Sequence, residues 1–235
     1  MLNPIKEIPR NYILNSLPPE VYEKIAPLLE PVEMPHAETI YQPYKKIEHI
    51  YFPENSVISI VTNLENGSCV ETGIIGNDGL SGTETILTED ASPREAMVQL
   101  AGFGNRLKVE DFQTLFNSEK VFAKRVMRYV YSFIGQISQN PACLCFHTIE
   151  KRLARWLLMF HDRADRDEML LTQEFIAVML GVHRPSVTKF AGKLQEMNLI
   201  RYNRGKITIL DRPGLLQISC ECYETICQIS GISIR

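Results

Sequence analysis

The chain has 235 residues, 45% hydrophobic and 23% charged, with a formal net charge of -3. That size and balance leave room for two domains with cores of their own and exclude a disordered or fibrous polypeptide. The first thirty residues carry Pro4, Pro9, Pro18 and Pro19 among several charges and no apolar run of membrane length, so no signal peptide or transmembrane span is read and a cytoplasmic location is expected. Six cysteines without a secretory signal read as reduced thiols rather than a disulfide framework.

Asn15 and Ser16 followed by LPPEVYEKIAPLLE read as a capped amphipathic helix with proline in its first turn, presenting Val21, Ile25, Leu28 and Leu29 on one face. From Val32 to Leu107 the pattern changes to short segments of period near two, interrupted by prolines and glycines, as in a β-roll or barrel. Val57 to Leu64 and Cys69 to Ile75 flank Asn66-Gly67, a strong hairpin signal. The stretch from Glu110 to about Gln139 is helical by pattern. Phe122, Val126, Tyr129, Phe133 and either Gln136 or Ile137 recur at spacings of four and three, the seam a coiled-coil partner needs. A helix face alone does not name its partner, so this stripe meets either a second copy of the chain or its own roll.

Pro141 is expected to interrupt or kink that helix near Asn140. Thr148 to His161 reads as another amphipathic helix, with Leu153, Trp156, Leu157 and Phe160 inward and Lys151, Arg152 and Arg155 outward. His161 to Met169 reads as a solvated connection. Thr172 to Met197 then gives two helices, Gln173 to Leu180 and Arg184 to Met197, joined at Gly181, where a left-handed backbone favours glycine. Val187, Phe190, Ala191 and Leu194 share the face that packs back on Phe175, Ile176 and Leu180, with Ala177 small enough to let the second helix approach. That spacing is the helix-turn-helix pattern.

Such a second helix enters the major groove by its N-terminal end, which makes Arg184, Pro185, Ser186, Thr188 and Lys189 the candidate base readers. Ile200 to Tyr202 and Lys206 to Ile209 alternate around Asn203, Arg204 and Gly205 as a hairpin with a cationic tip. Arg201, Arg204 and Lys206, together with Thr172, Gln173, His183 and Lys193, are candidates for phosphate contact. Asp211 caps a last helix read from Arg212 to about Cys227. Between residues 170 and 212, seven Lys and Arg stand against three acids, so positive charge concentrates here in an acidic chain.

The run from Thr172 to Asp211, with Gly181, Val182, Arg184, Ser186 and Val187 followed by LIRY and GKITI, resembles the DNA-binding domain of the Crp/Fnr family of bacterial transcription regulators. The upstream chain is similar to the same family's sensor half. The resemblance implies an α+β chain: an N-terminal jelly-roll or β-roll sensor domain over 1–117, a long dimerisation helix and hinge over 118–145, and a C-terminal winged helix-turn-helix domain over 146–235. It also implies a homodimer that binds a pseudo-palindromic double-stranded operator and contacts RNA polymerase. His183 stands where the family has a small polar cap, and Pro185 where many members have a base-reading acid.

Family members that bind cyclic nucleotides pair a Gly-Glu with a downstream Arg-Ser-Ala or Arg-Thr-Ala. Here the matching stretch is Gly82, Thr83 and Glu84, then Arg94, Glu95 and Ala96. Thr83 replaces the ribose-binding acid. Glu95 replaces the phosphate-binding hydroxyl and could instead neutralise Arg94. Cyclic AMP is therefore a poor match, the pocket reads as degenerate or altered, and the sequence names no effector. Family redox and metal sensing rests on cysteines near the N-terminus, and none precedes Cys69. Cys143 with Cys145, and Cys220, Cys222 and Cys227, read as buried small hydrophobes, and no metal site is assigned. His36 and His49, the two histidines of the roll, form no His-x-His pair, so a cupin-like enzyme is the weakest reading. A dimeric module that binds protein rather than DNA stays open.

Overall fold

A computed structural model of the protein describes residues 9–88, 91–164 and 166–231. Pro4, the outer ends of the first and third expected segments, and Asp165 in the expected loop from His161 to Met169 lie outside the described residues.

Seven strands form two antiparallel sheets: β1 (Glu30–Met34), β2 (Thr39–Tyr41), β3 (His49–Pro53), β4 (Val57–Asn63), β5 (Cys69–Ile75), β6 (Glu95–Leu100) and β7 (Gly102–Lys108). One sheet has the order β1-β7-β3 and the other β2-β6-β4-β5. The hairpin expected around Asn66-Gly67 is β4–β5, closed by Leu64 N–H donating to the Ser68 carbonyl at 2.8 Å. Alternation along β4 decides what each face of its sheet meets. Ile58 and Ile60 join Phe52, Ile75 and Leu107 in the core of the roll. Val57 and Val61, with Ile74 and Leu100, turn the other way and share a buried cluster with the C-terminal helices.

The leading helix is displaced from its expected frame. Asn15 ends a short helix α1 (Tyr12–Asn15) whose cap is Asn11, accepting from the amides of Ile13 and Leu14. Asn11 also donates to the carbonyls of Pro53 and Gly79, which ties α1 to the roll. Helix α2 (Pro19–Ile25) buries Val21 and Ile25 as read, but Leu28 lies in a 3-10 turn and is exposed. Pro27 has no N–H to continue the α-helical ladder, so the inward face ends before Leu28.

The helical stretch after the roll is two elements, α3 (Val109–Ser118) and α4 (Lys120–Phe146), parted at Glu119, where the backbone is extended. Of the two outcomes expected at Pro141, interruption does not occur: α4 runs through it. An interior proline costs about 3 kcal/mol. Tertiary bonds hold the helix on both sides of it: Asn140 donates to the Thr72 carbonyl at 2.7 Å and accepts from Arg155 at 2.9 Å, while Cys143 is fully buried.

The stripe proposed for a partner helix turns inward instead. Phe122, Val126 and Tyr129 are buried in the roll's own core with Ile25, Leu107 and Phe112. Phe133 stacks on Tyr129 at 5.9 Å, and Ile137 is half-buried. The roll is shaped for these rings: a Cβ at Gly79 would run into the Tyr129 ring, and one at Gly73 would come within 2.8 Å of Phe133. Gln136 adds a polar clamp, accepting from Ile74 N–H at 2.7 Å and donating to the Ile74 carbonyl at 3.1 Å.

Helix α5 (Ile149–Ala164) buries Leu153, Trp156, Leu157 and Phe160 as read. Arg152 and Arg155, read as outward, are buried as well, because α5 is covered on both sides, by the roll and by the C-terminal helices. Arg152 donates to the Leu180 carbonyl, and Arg163 pairs with Asp78 at 2.7 Å. The last helix is also two, α8 (Arg212–Ile218) and α9 (Cys222–Ser230), the first capped by Asp211 accepting from Gly214 N–H at 3.0 Å. Between them the chain turns Cys220 inward against Cys143.

Candidate nucleic-acid interface

Helices α6 (Gln173–Leu180) and α7 (Arg184–Glu196) form the expected corner. Thr172 caps α6, accepting from Phe175 N–H at 3.2 Å. Gly181 takes φ 60°, and Val182 N–H returns to the Ala177 carbonyl at 2.9 Å, closing α6 with a left-handed residue. Val187, Ala191 and Leu194 are buried against Ile176, Ala177 and Leu180, with Phe190 half-buried beside them. His183 occupies the cap position of α7 without a side-chain capping bond, and Pro185 sits in the first turn, where its missing N–H costs nothing.

Packing that face leaves the other one outside. Arg184, Pro185, Thr188 and Lys189 are exposed and Ser186 is half-buried. Arg184, with 63% of its side chain exposed, lies 3.8 Å from Glu174, a contact weak enough to exchange. Thr188 donates to Gln173 at 2.6 Å, so these two side chains brace α7 on α6. Lys193 sits 5.3 Å above the Phe190 ring and 3.8 Å from Glu150.

The wing has three strands: β8 (Glu168–Leu170), β9 (Ile200–Asn203) and β10 (Lys206–Ile209), in the order β8-β10-β9. Strand β8 corrects the reading of His161 to Met169 as a wholly solvated connection. Met169 pairs with Ile207 and is buried, which draws the end of that segment into the sheet. Arg204 and Gly205 take φ 48° and 78° at the tip, the conformation of a tight hairpin turn. Arg201 and Arg204 are exposed, while Lys206 pairs with Glu168 at 2.8 Å.

In the roll, the six residues of the cassette split. Gly82 takes φ 82° and starts a 3-10 turn, Thr83–Ile86, that carries Glu84 back over Arg94. Arg94 donates to Glu84 at 3.2 Å, and Tyr41 and Ser92 donate to the same carboxylate oxygen at 3.3 Å and 3.1 Å. Glu84, not Glu95, is thus the partner of Arg94. Glu95 lies on β6 and accepts from Asn63 at 2.9 Å. Thr83 and Ala96 are buried.

Glu71 had no counterpart in the sequence reading, and of the cysteines read as buried small hydrophobes all but Cys145 are buried. Glu71 bridges the roll and α5, accepting from Trp156 at 2.8 Å and from Ser59 at 2.6 Å. Burial pushes its carboxyl up to about 7, against the pull of those two hydrogen bonds and of Arg155 and Arg163. Cys143, Cys220 and Cys222 form a small buried cluster of their own, with His147 beside it. Cys145 is exposed and Cys227 is buried elsewhere, so neighbours in sequence part company in space. No helix among the described residues is long and apolar enough to cross a membrane.

Residues 151–218 match the Crp-like helix-turn-helix domain family. No curated protein matches the sequence. Among solved structures, FixK2 from Bradyrhizobium japonicum is similar with a TM-score of 0.67 at 15% identity, over 82% of this chain and 98% of that one. TTHB099 from Thermus thermophilus, a transcriptional regulator of the CRP family, gives 0.65 at 22% identity, over 80% and 96%. TTHA1359 from the same organism, of the CRP/FNR family, gives 0.64 at 18%, over 81% and 98%. Residues 151–218 thus match the Crp-like helix-turn-helix domain family, and the chain shares the fold of these three solved structures.

Proposed function

We propose that the protein is a sequence-specific DNA-binding regulator of transcription, a binding protein rather than an enzyme. The observation that carries this reading is the exposed cationic first turn of α7, Arg184 with Lys189 one turn on, flanked by a wing whose tip is Arg204. The Arg184 fork suits two acceptors on guanine, whereas Arg201 and Arg204 sit where they can meet phosphate. Residues 1–117 form the sensor, 118–145 the dimerisation helix and hinge, and 146–235 the DNA-binding domain of a cytoplasmic protein that also contacts RNA polymerase.

A twofold operator asks for two copies of α7 about 34 Å apart. The outer face of α4 offers a seam for them. Lys124, Met127, Tyr131, Ile134 and Ser138 are exposed and recur at three and four residues, the spacing of a heptad. In the roll, Glu84 already occupies the guanidinium of Arg94, so a cyclic phosphate would have to displace a carboxylate. That supports a degenerate or altered pocket and disfavours cyclic AMP.

Titrations of operator variants across salt test the DNA reading. Arg184→Ala should relax preference at one base position by about 1 to 3 kcal/mol, while Arg204→Ala should weaken all duplexes alike and reduce the salt slope by about one. Equal effects of the two changes would overturn the assignment of reader and anchor. Binding to random duplex that ignores salt would favour a protein-binding module instead.

A further inference from the structure

We propose that Cys143, His147, Cys220 and Cys222 form a four-coordinate zinc site that ties the C-terminal end of α4 to the corner between α8 and α9.

The geometry is that of one metal ion. With Zn–S near 2.3 Å and Zn–N near 2.0 Å, a tetrahedron places two sulfurs about 3.8 Å apart and a sulfur and a nitrogen about 3.5 Å apart. Cys143 and Cys220 Sγ are 3.5 Å apart, Cys222 Sγ and His147 Nδ1 are 3.5 Å apart, and all four ligand atoms lie within 4.8 Å of one another. A multi-iron cluster, with each thiolate on a different iron, would spread the sulfurs farther. A Cys143–Cys220 disulfide would use two of the four groups and leave Cys222 and His147 unexplained. Plain packing accounts for three buried cysteines but not for an imidazole nitrogen facing one of them.

The surroundings fit the same ion. His147 Nε2 faces Glu221 at 3.1 Å, the outer carboxylate that turns the ring so that Nδ1 can ligate. Gln139 donates to Cys222 Sγ at 3.2 Å. Three thiolates around Zn2+ carry one net negative charge, and Arg155, buried beside Cys143 and Cys220, is placed to offset it. Four protein ligands close the coordination sphere, so the ion is structural rather than hydrolytic. Loading it releases the remaining thiol protons to solvent.

Cobalt is the reporter. The full chain, reduced and stripped with chelator, should take up one Co2+ per chain with tetrahedral visible bands and near-ultraviolet thiolate charge transfer, and one Zn2+ per chain should bleach both. Cys145→Ser, an exposed thiol two residues from Cys143, should bind as the parent does. Cys222→Ser should lose the charge-transfer band or shrink it by about a third. Glu221→Gln alters an exposed side chain and should weaken Zn2+ binding roughly 10- to 100-fold with the band positions unchanged. The proposal fails if Co2+ gives no thiolate band in the reduced parent chain, if Cys145→Ser abolishes the band, or if Glu221→Gln leaves the affinity unaltered.

Discussion

Helix α4 carries two apolar stripes, and they differ in what they meet. The inner one, Phe122, Val126, Tyr129 and Phe133, is aromatic and closes the roll over glycines cut to fit it. The outer one, Met127, Tyr131 and Ile134 between Lys124 and Ser138, is thinner, and within one chain it faces solvent. The richer stripe is therefore the intramolecular one. A core that must hold in every monomer takes the larger rings, while the face proposed to meet a second copy keeps enough polarity to stay soluble alone.

Four substitutions test that contrast. Phe122→Ala, which opens a cavity where the side chain is fully buried, should cost about 3 to 5 kcal/mol in denaturant unfolding. Ile134→Glu should leave monomer unfolding within about 0.5 kcal/mol of the parent yet raise the dimer dissociation constant roughly 100-fold by analytical ultracentrifugation. A dimer that survived Ile134→Glu but dissociated in Phe122→Ala would restore the inner stripe as the seam. Gln136→Leu deprives both backbone groups of Ile74 of their partner, and should cost about 1 to 3 kcal/mol with dimerisation unchanged.

The mildest substitution is Glu71→Gln, which keeps the shape of a half-buried group under the inner face. The folded carboxyl titrates at about 7, above its ordinary value of 4.5. Its burial is therefore accommodated fully at pH below the ordinary value, and stability falls as pH rises through 7 and the folded chain is forced to bury a charge. Unfolding midpoints measured from pH 5 to 8 should decline in the parent and decline less in Glu71→Gln. Parallel curves would remove Glu71 as the cause.

What was legible in the sequence was local. The α6–α7 corner turns on one glycine, the contacts that join its two helices are close in sequence, and Gly181, Ala177 and Val187 sit where their spacing places them. The Asn66-Gly67 hairpin is equally self-contained. Misreadings came where a distant segment decides. Arg152 and Arg155 look like a solvated face until the roll and the last helices close over α5. Pro141 looks like a break until Thr72 and Arg155 hold Asn140 beside it. Glu95 was read as the acid for Arg94, and a 3-10 turn brings Glu84 there instead. The cysteine cluster joins residues 77 positions apart, and neither Cys143 with Cys145 nor Cys220 with Cys222 has the spacing that would have announced it.

Strand β4 is buried on both faces, one inside the roll and one under the C-terminal helices. The two halves of the chain consequently share a wall rather than hang on a tether. Severing them would leave Val57, Val61, Ile74 and Leu100 as a wet, sticky plane on one fragment and strip Trp156 of its acceptor on the other. Reorienting α7 by a large swing means peeling that wall apart, so adjustments that slide along it are the cheaper route.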